Sequence, residues 1–506
     1  MNSQNNSIFA LVWKSPELPT YLFIYVLVGL LSVPESFLLD DLDVCWLVRT
    51  GELIWQTGRL PETDIFSFTH YGKPWVLYQW GFEVFLGGLH LLAGLGGVVW
   101  GGAFLIALAY SLFFHFLLSS IGIHRGICIG LVVLTMLINS FHWLCRPNTA
   151  SILFYIFLLT FLENYRCLPS RRIWFLPLFF VLWANVHLGF TSGLFVLLLY
   201  ALWAFFSKGF FQVLVPDSTR NYSLMLVFLL CLLSTFINPY GPQLYSYLWD
   251  LSQASTMNAR IGELHSPNFH SPLLFSLIIQ IILIFWVGTR HYFGRSLILT
   301  VMGVTLAMGM YSVRHIPYFS IPATIHIAYS LQNRKNYSTQ FCLTRMPHKG
   351  IGWGLVVAII SLFWVVSIYH LNPNFYYFNK ERIPYGAASY LESVSSSYKT
   401  HRIFTSGSGA QWNDYLLYRL YPRARVFIDT RFDMYGDRFF KNYLSLVDNI
   451  KCDLSGLAPW KIDFLVYKKK ENKTFQFKAL TLEKKLWTLV YEDNQAIIYR
   501  NIKNSR

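Results

Sequence analysis

Three aspartates, Asp40, Asp41 and Asp43, crowd into "LLDDLDVCWLVRTGE" (38–52) directly after a long apolar run, and a fourth carboxylate, Asp64, follows in "LPETDIFSF". A carboxylate within hydrogen-bond reach of a hydroxyl can take its proton as general base, and a second one can orient the base or hold a metal. In a helix Asp40 would neighbour Asp43, whereas Asp41 and Asp43 would point apart. A non-helical turn leading into the amphipathic segment 44–57 leaves all three free to face one water-filled mouth. Further polar groups recur along the chain: His142 and Arg146 in "FHWLCRPN", Asn185 and His187 in "WANVHLGF", Asn238 in "INPYG", Glu263 and His265 in "GELHSPNFH", and Arg314 and His315 in "SVRHIP". Arginine binds phosphate bidentately, so carboxylates and arginines beside a bilayer suggest transfer of a group from a lipid phosphate to a hydroxyl.

Composition says what must position these groups. The 506 residues are 54% hydrophobic and only 13% charged, with a mean hydropathy of +0.40; a chain this apolar cannot cover itself with polar surface in water and reads as an integral membrane protein. Apolar runs near 20–39, 97–119, 126–141, 149–163, 173–187, 189–206, 222–237, 271–288, 296–313, 316–331 and 350–370 predict about eleven transmembrane helices. The first run has no small-residue cleavage site and reads as an anchor. Residues 80–93, Gly-rich and carrying Glu83 and His90, read as a short interfacial or re-entrant helix, since a second span there would put the arginine clusters outside.

The net charge of +15 does not point to nucleic acid. Its basic residues fall in alternate short loops, at Arg125, at Arg166, Arg171 and Arg172, at Lys208 and Arg220, at Arg290 and Arg295, and at Arg334, Lys335, Arg345 and Lys349, which is the pattern of cytoplasmic orientation signals. With that topology the acidic loop 40–79 and the five polar segments all fall on the extracytoplasmic face. Ionisable groups at span ends are costly to desolvate, so six such segments on one face read as a site, although any one of them alone reads as a cap or an interfacial anchor.

Beyond residue 370 the chain becomes polar. Residues 371–506 predict a soluble extracytoplasmic α/β domain, with strands at 401–406, 424–430 and 463–467, a hairpin over 487–501 turning near Asp493 and Asn494, and helices at 385–396, 411–420 and 437–449. The seven cysteines are scattered and form no disulfide framework or metal spacing. No nucleotide cradle occurs, and "GSG" (407–409) reads as a turn. Asp429, Arg431, Asp433 and Asp437 in "VFIDTRFDMYGD" read either as a ligand site or as a turn braced by Asp–Arg pairs. Trp46, Trp75 and Trp80 are open to sugar stacking or to packing.

"DLDVCWLVRTGELIWQTGRLPETDIFSFTHYGKPWVLYQW", followed in order by "RPN", "WANVHLGF", "NPYGPQLY", "SPNFHSP", "SVRHIP" and "VFIDTRFDMYGD", resembles a broad group of bacterial polytopic membrane proteins related to the GT-C glycosyltransferases. The resemblance covers almost the whole chain. It implies a GT-C fold, a polyprenyl-phosphate sugar as donor, a glycan, lipid or protein as acceptor, and a multi-pass place in the bacterial inner membrane. It further implies Asp43 or Asp41 as catalytic base, Asp64 as a supporting carboxylate, and His187, Glu263 and Arg314 as cavity residues. No cofactor is certain; a divalent Mg2+ or Mn2+ ion is the candidate. Two other readings stay open. In one, the aspartates only cap the helix near residue 44, a gain of about 0.3–1 kcal/mol that accounts for one of them. In the other, the chain is a transporter or assembly partner for lipid-linked saccharides, which calls for polar groups through the depth of the bundle and paired repeats.

Overall fold

The computed structural model describes residues 15–206, 219–288, 295–332, 351–395, 400–406, 410–450, 455–469 and 486–502. Lys208, Arg290, Arg334, Lys335, Arg345, Lys349, Cys342, Cys452 and the turn expected at 407–409 lie outside the described residues. The chain forms two compact units, each assembled from separated stretches. One runs from the first helix to Val33 and takes in Gly96–Pro242 and Ile261–Pro373; the other comprises Pro34–Leu95, Gln243–Arg260 and the chain from Asn374 onwards.

The first unit is helical. Each of the expected apolar runs coincides with a helix, from Leu18–Leu31 to Ile351–Leu371. Among the described residues three stretches, Trp80–Ile121, Arg125–His142 and Ile351–Leu371, are long and apolar enough to cross a membrane. The first run ends earlier than expected, at Leu31, because Pro34 follows: it has no N–H to give, and its ring disfavours helical backbone in the residue before it. Residues 37–39 form only a 3-10 turn. The innermost helix is Ile316–Leu331, buried along nearly its whole length. Pro322 inside it removes the N–H that would have bonded the carbonyl of Tyr318, and the hydroxyl of Tyr155 donates to that carbonyl instead, at 3.0 Å. Gln280 donates to Ser320 O at 2.9 Å and to Thr324 Oγ1 at 2.8 Å, so a neighbouring helix is tied to it by two hydrogen bonds.

The second unit carries a five-stranded sheet of order β2-β1-β3-β5-β4, with β1 His401–Thr405, β2 Ala424–Val426, β3 Phe464–Lys468, β4 Trp487–Glu492 and β5 Ala496–Asn501. β1 runs parallel to β2 and β3, while β3–β5 and β5–β4 are antiparallel. Helix Ala410–Leu420 makes the crossover from β1 to β2 and packs on the first-loop helix Asp43–Thr57. The first loop also extends the sheet edge: Phe68 N donates to Val426 O at 3.0 Å, and Val426 N to Phe66 O at 3.2 Å. These contacts put the first loop and the C-terminal residues on the same side of any membrane.

Helix Asp43–Thr57 ends at Gly58, whose φ of 66° is the left-handed cap that glycine adopts at no steric cost. It crosses the first part of Trp80–His115 at two glycines. A Cβ built on Gly51 would lie 1.8 Å from Glu83 O, and one on Gly87 would lie 2.3 Å from Gly51 C. The second helix kinks further on, at Ala93 and Gly94, so the expected 80–93 and 97–119 helices are one helix with a break between them. Gly51→Ala or Gly87→Ala is expected to push the two helices apart at a cost of about 1–3 kcal/mol or more, seen as a lower thermal midpoint of the purified protein. Gly130→Ala, with nothing within 4 Å, is the control that leaves the midpoint unchanged or higher.

Candidate functional site

The three clustered aspartates have three different environments. Asp40 faces Arg382, 3.2 Å away, in a largely exposed ion pair, which is worth little. Asp41 accepts the backbone N–H of Asp43 at 3.0 Å and so serves the start of the helix as a capping carboxylate. Asp43 is the first helical residue, partly exposed, where the helix dipole favours its negative charge.

Asp64 is fully buried. It accepts from Phe66 N at 3.2 Å, Ser67 N at 3.1 Å and Ser67 Oγ at 2.5 Å, and Arg431 Nη2 lies 2.7 Å from its other face. The same guanidinium reaches Asp429 through Nε at 2.9 Å and Nη2 at 2.6 Å, and Tyr435 OH donates to Asp429 at 2.9 Å. Trp75, Phe66 and Trp46 cover Arg431 with ring centroids at 4.3, 5.0 and 6.0 Å. Trp46 and Trp75 are thus buried against a cation and are not exposed platforms. The rest of this motif is also engaged: Tyr247 OH donates to Asp433, and Asp437 accepts from Thr256 Oγ1 and Met257 N.

Sequence reasoning missed Asp414. It sits on the helix that packs against Asp43–Thr57, is fully buried, and accepts Thr430 N at 3.1 Å through Oδ1, while its Oδ2 meets no hydrogen-bond partner. Burial, then the charges of Asp429 and Asp43, push its carboxyl well above the ordinary range. For Asp64 burial works upward too, but the Arg431 charge with the Ser67, Arg431 and Phe66 hydrogen bonds prevails and holds it low. Nothing in "AQWNDYLLY" distinguishes Asp414 from a surface residue except its spacing on the buried helix face. Glu52 escaped notice in the same way; it bridges Arg49 at 2.6 Å and His90 at 2.6 Å, and His90 reaches Tyr418 OH at 2.8 Å.

The first unit holds a separate constellation. Arg146 precedes helix Pro147–Cys167 and Arg314 lies in the turn before Ile316–Leu331. Both grip Glu263: Arg146 Nη1 to Oε1 at 2.6 Å and Arg314 Nη2 to Oε2 at 3.0 Å. Burial works against the charge on Glu263, but Arg146 and then Arg314 hold its carboxyl down at about 2. His142 and His187 lie within range of all three charges. Gly189 N–H donates to His187 Nδ1 at 3.1 Å, and Ser151 Oγ lies 2.8 Å from the same nitrogen. A backbone N–H can only donate, so in the neutral ring the proton is on Nε2 and His187 presents a donor there. Ser151, in turn, accepts from Trp183 Nε1 at 2.8 Å.

The remaining candidates serve the backbone or the surface. Asn185 donates to Val181 O and Ile237 O, both at 2.8 Å, and Asn238 closes a turn onto Tyr240 N at 2.8 Å. The His265 side chain is exposed, and His315 packs against Tyr318. Among the described residues no group of three or more His, Cys, Asp and Glu side chains is placed to hold a metal ion.

No protein-family model matches this sequence, and no curated protein sequence matches it either. Solved structures do. One is the crystal structure of the Archaeoglobus fulgidus oligosaccharyltransferase tethered to an acceptor peptide, with a TM-score of 0.55 and 11% identity over 96% of this chain and 73% of that one. Another is the archaeal oligosaccharyltransferase AglB from the same organism, in complex with an inhibitory peptide and a dolichol-phosphate, at 0.54 and 10% over 96% and 74%. A third is the arabinofuranosyltransferase AftD from Mycobacteria, at 0.53 and 11% over 97% and 40%. At such identities the likeness shows the fold alone, one shared with these oligosaccharyl- and arabinofuranosyltransferases.

Asp64 and Asp414 pull stability in opposite directions with pH. Held low in the folded state, Asp64 stabilises the fold above the ordinary carboxylate value of about 4 and loses that contribution as pH falls through its folded value. Asp414, held high, contributes fully only below about 4 and costs stability as pH rises towards its folded value. Thermal unfolding of Asp414→Asn is therefore expected to show a higher midpoint than wild type at neutral and alkaline pH, converging with it in acid. Asp64→Asn leaves Arg431 short of a counter-charge and is expected to lose about 3–5 kcal/mol at neutral pH.

Proposed function

We propose that this chain is a membrane glycosyltransferase that moves a sugar from a polyprenyl-phosphate donor to a hydroxyl of a glycan, lipid or protein, on the extracytoplasmic face of a bacterial inner membrane. The observation that carries the reading is the pair of arginines, Arg146 and Arg314, set on one carboxylate at 2.6 and 3.0 Å. Two guanidinium groups spaced for two oxygens of one anion suit a phosphate group. The neutral Nε2–H donor of His187 adds a further contact of the same sign. The GT-C fold supports this reading, and one similar solved structure is of an oligosaccharyltransferase complexed with dolichol-phosphate, a lipid phosphate of the proposed class.

In the proposed reaction the acceptor oxygen forms a bond to the anomeric carbon of the sugar. The bond from that carbon to the phosphate oxygen breaks, and the electron pair leaves with polyprenyl phosphate. The acceptor proton passes to a carboxylate base, for which the first loop offers Asp43 and Asp41 as candidates. Arg146 and Arg314 bind the phosphate and stabilise the charge that builds on it as the bond breaks.

The test is turnover by purified protein in liposomes with a panel of polyprenyl-phosphate sugars. Asp43→Asn is expected to lower transfer by about 10²–10⁴-fold while keeping wild-type donor binding and thermal midpoint. Arg314→Gln is expected to raise the donor KM. Undiminished turnover in Asp43→Asn removes it as base, and no release of sugar from any donor by the wild-type protein sinks the transferase reading.

A further inference from the structure

Glu263 presents an oddity for a phosphate site, since a carboxylate already occupies the place where the two arginines converge. Its position is built in. The turn Gly262–Leu264 is stitched to residues 312–313 by Ser312 Oγ, which donates to Glu263 O at 3.0 Å, and by Val313 N, which donates to His265 O at 2.9 Å. Each carboxylate oxygen takes one guanidinium. The Arg314 and Glu263 side chains remain 40% and 32% exposed, so the pair is open to exchange with a ligand. Beside it, His315 Nδ1 and Asn148 Oδ1 are buried without a hydrogen-bond partner. Polar atoms in that state await a ligand or water.

We infer that Glu263 is a resident counter-anion, which fills the phosphate position of the empty site and discriminates against the product, polyprenyl phosphate, relative to the donor. The inference rests on the function proposed above and concerns charge. A sugar-bearing polyprenyl phosphate is a diester with one negative charge, whereas the released product is a monoester with close to two at neutral pH, the second pKa being about 6. Two arginines and one carboxylate leave one net positive charge. That balances the diester and leaves the monoester with an uncompensated negative charge beside Glu263. Repulsion of that kind is how a site is made selective against a tighter-binding competitor. Without Glu263 two positive charges would meet a dianion, and the product would hold the site.

A plain structural alternative makes Glu263 a strut between two loops, whose removal would loosen the site and weaken binding. The two accounts differ in sign. Binding of polyprenyl phosphate, its methyl diester, uncharged polyprenol and inorganic phosphate would be measured for wild type, Glu263→Gln, Glu263→Ala and Arg146→Gln in nanodiscs, with the thermal midpoint of each. Both Glu263 variants are expected to bind the monoester more tightly by about tenfold or more, the diester by less, and polyprenol unchanged. Inorganic phosphate is expected to follow the monoester in sign but to bind far more weakly, the lipid being the ligand. In the wild-type protein, which needs no variant to fold, the diester is expected to bind at least as tightly as the monoester. Unchanged or weakened monoester binding in the Glu263 variants overturns the inference, and so does a several-fold wild-type preference for the monoester. Wild-type binding of polyprenyl phosphate that Arg146→Gln weakens, alongside either of those results, leaves the lipid-phosphate site standing and removes only the counter-anion. Wild-type binding of polyprenyl phosphate no tighter than polyprenol removes the site and the inference together.

Discussion

A guanidinium buried to 1% exposure between two carboxylates buried completely, Arg431 between Asp64 and Asp429, is the interaction on which the second unit is organised. Taking three charges out of water costs several kcal/mol per ion and is repaid only where every lone pair finds a donor. Asp64 is saturated by Ser67, Phe66 and Arg431, and Asp429 by Arg431 and Tyr435. Such a triad adds little net stability over apolar packing, but it tolerates only one arrangement of its members. Its effect is on specificity: residues 367 positions apart in the chain are brought into one register, and the edge bonds from Phe66 and Phe68 to Val426 follow from it.

Once Asp64 is committed to Arg431, the acidic loop has fewer free charges than its sequence suggests. Asp40 is paired with Arg382, and Asp41 holds the start of a helix. Asp43 stands at the helix N-terminus, and its charge is one of those that act on the buried Asp414. Carboxyl groups in close range cannot both ionise freely, and the buried one yields first. Burial, then the charges of Asp429 and Asp43, raise the Asp414 carboxyl above its ordinary range. The close crossing at Gly51 and Gly87 is what allows the helix bearing Asp43 to seat against its neighbour at backbone distance.

The parts of this fold legible in the sequence are those set by local patterns. Long apolar runs give helices because the backbone in a bilayer must satisfy itself, and "HRIFT" gives β1 because β-branched and aromatic residues suit a strand, which here is buried along most of its length. The helix from Asp43 to Thr57 and the hairpin of β4 and β5 are readable in the same way. Pairings between distant residues are not. Nothing near Arg431 names Asp64 as its partner, and nothing near Arg146 names Glu263 or Arg314. The six polar segments are recognisable as candidates, but which of them bind substrate-sized anions and which merely hold backbone, as Asn185 and Asn238 do, depends on tertiary geometry. The membership of residues 34–95 and 243–260 in the C-terminal unit is equally invisible along the chain, because hydropathy reports how deep a segment lies and says nothing of its neighbours.

A common economy links the two constellations, each taken by itself. A charge beside hydrocarbon is tolerated only if it is paired, and in each unit the arginines are held by internal carboxylates. Glu263 is the partner in the first unit, as Asp64 and Asp429 are for Arg431 in the second, but the two pairings differ in access. Arg431 is sealed under Trp75 and Phe66 and can serve only the fold. Arg314 keeps 40% of its side chain in the open, so its pair with Glu263 is accessible to a competing anion. Affinity at such a site is the difference between two anions competing for the same guanidinium groups. The protein sets that difference by the carboxylate it keeps as much as by the arginines it presents.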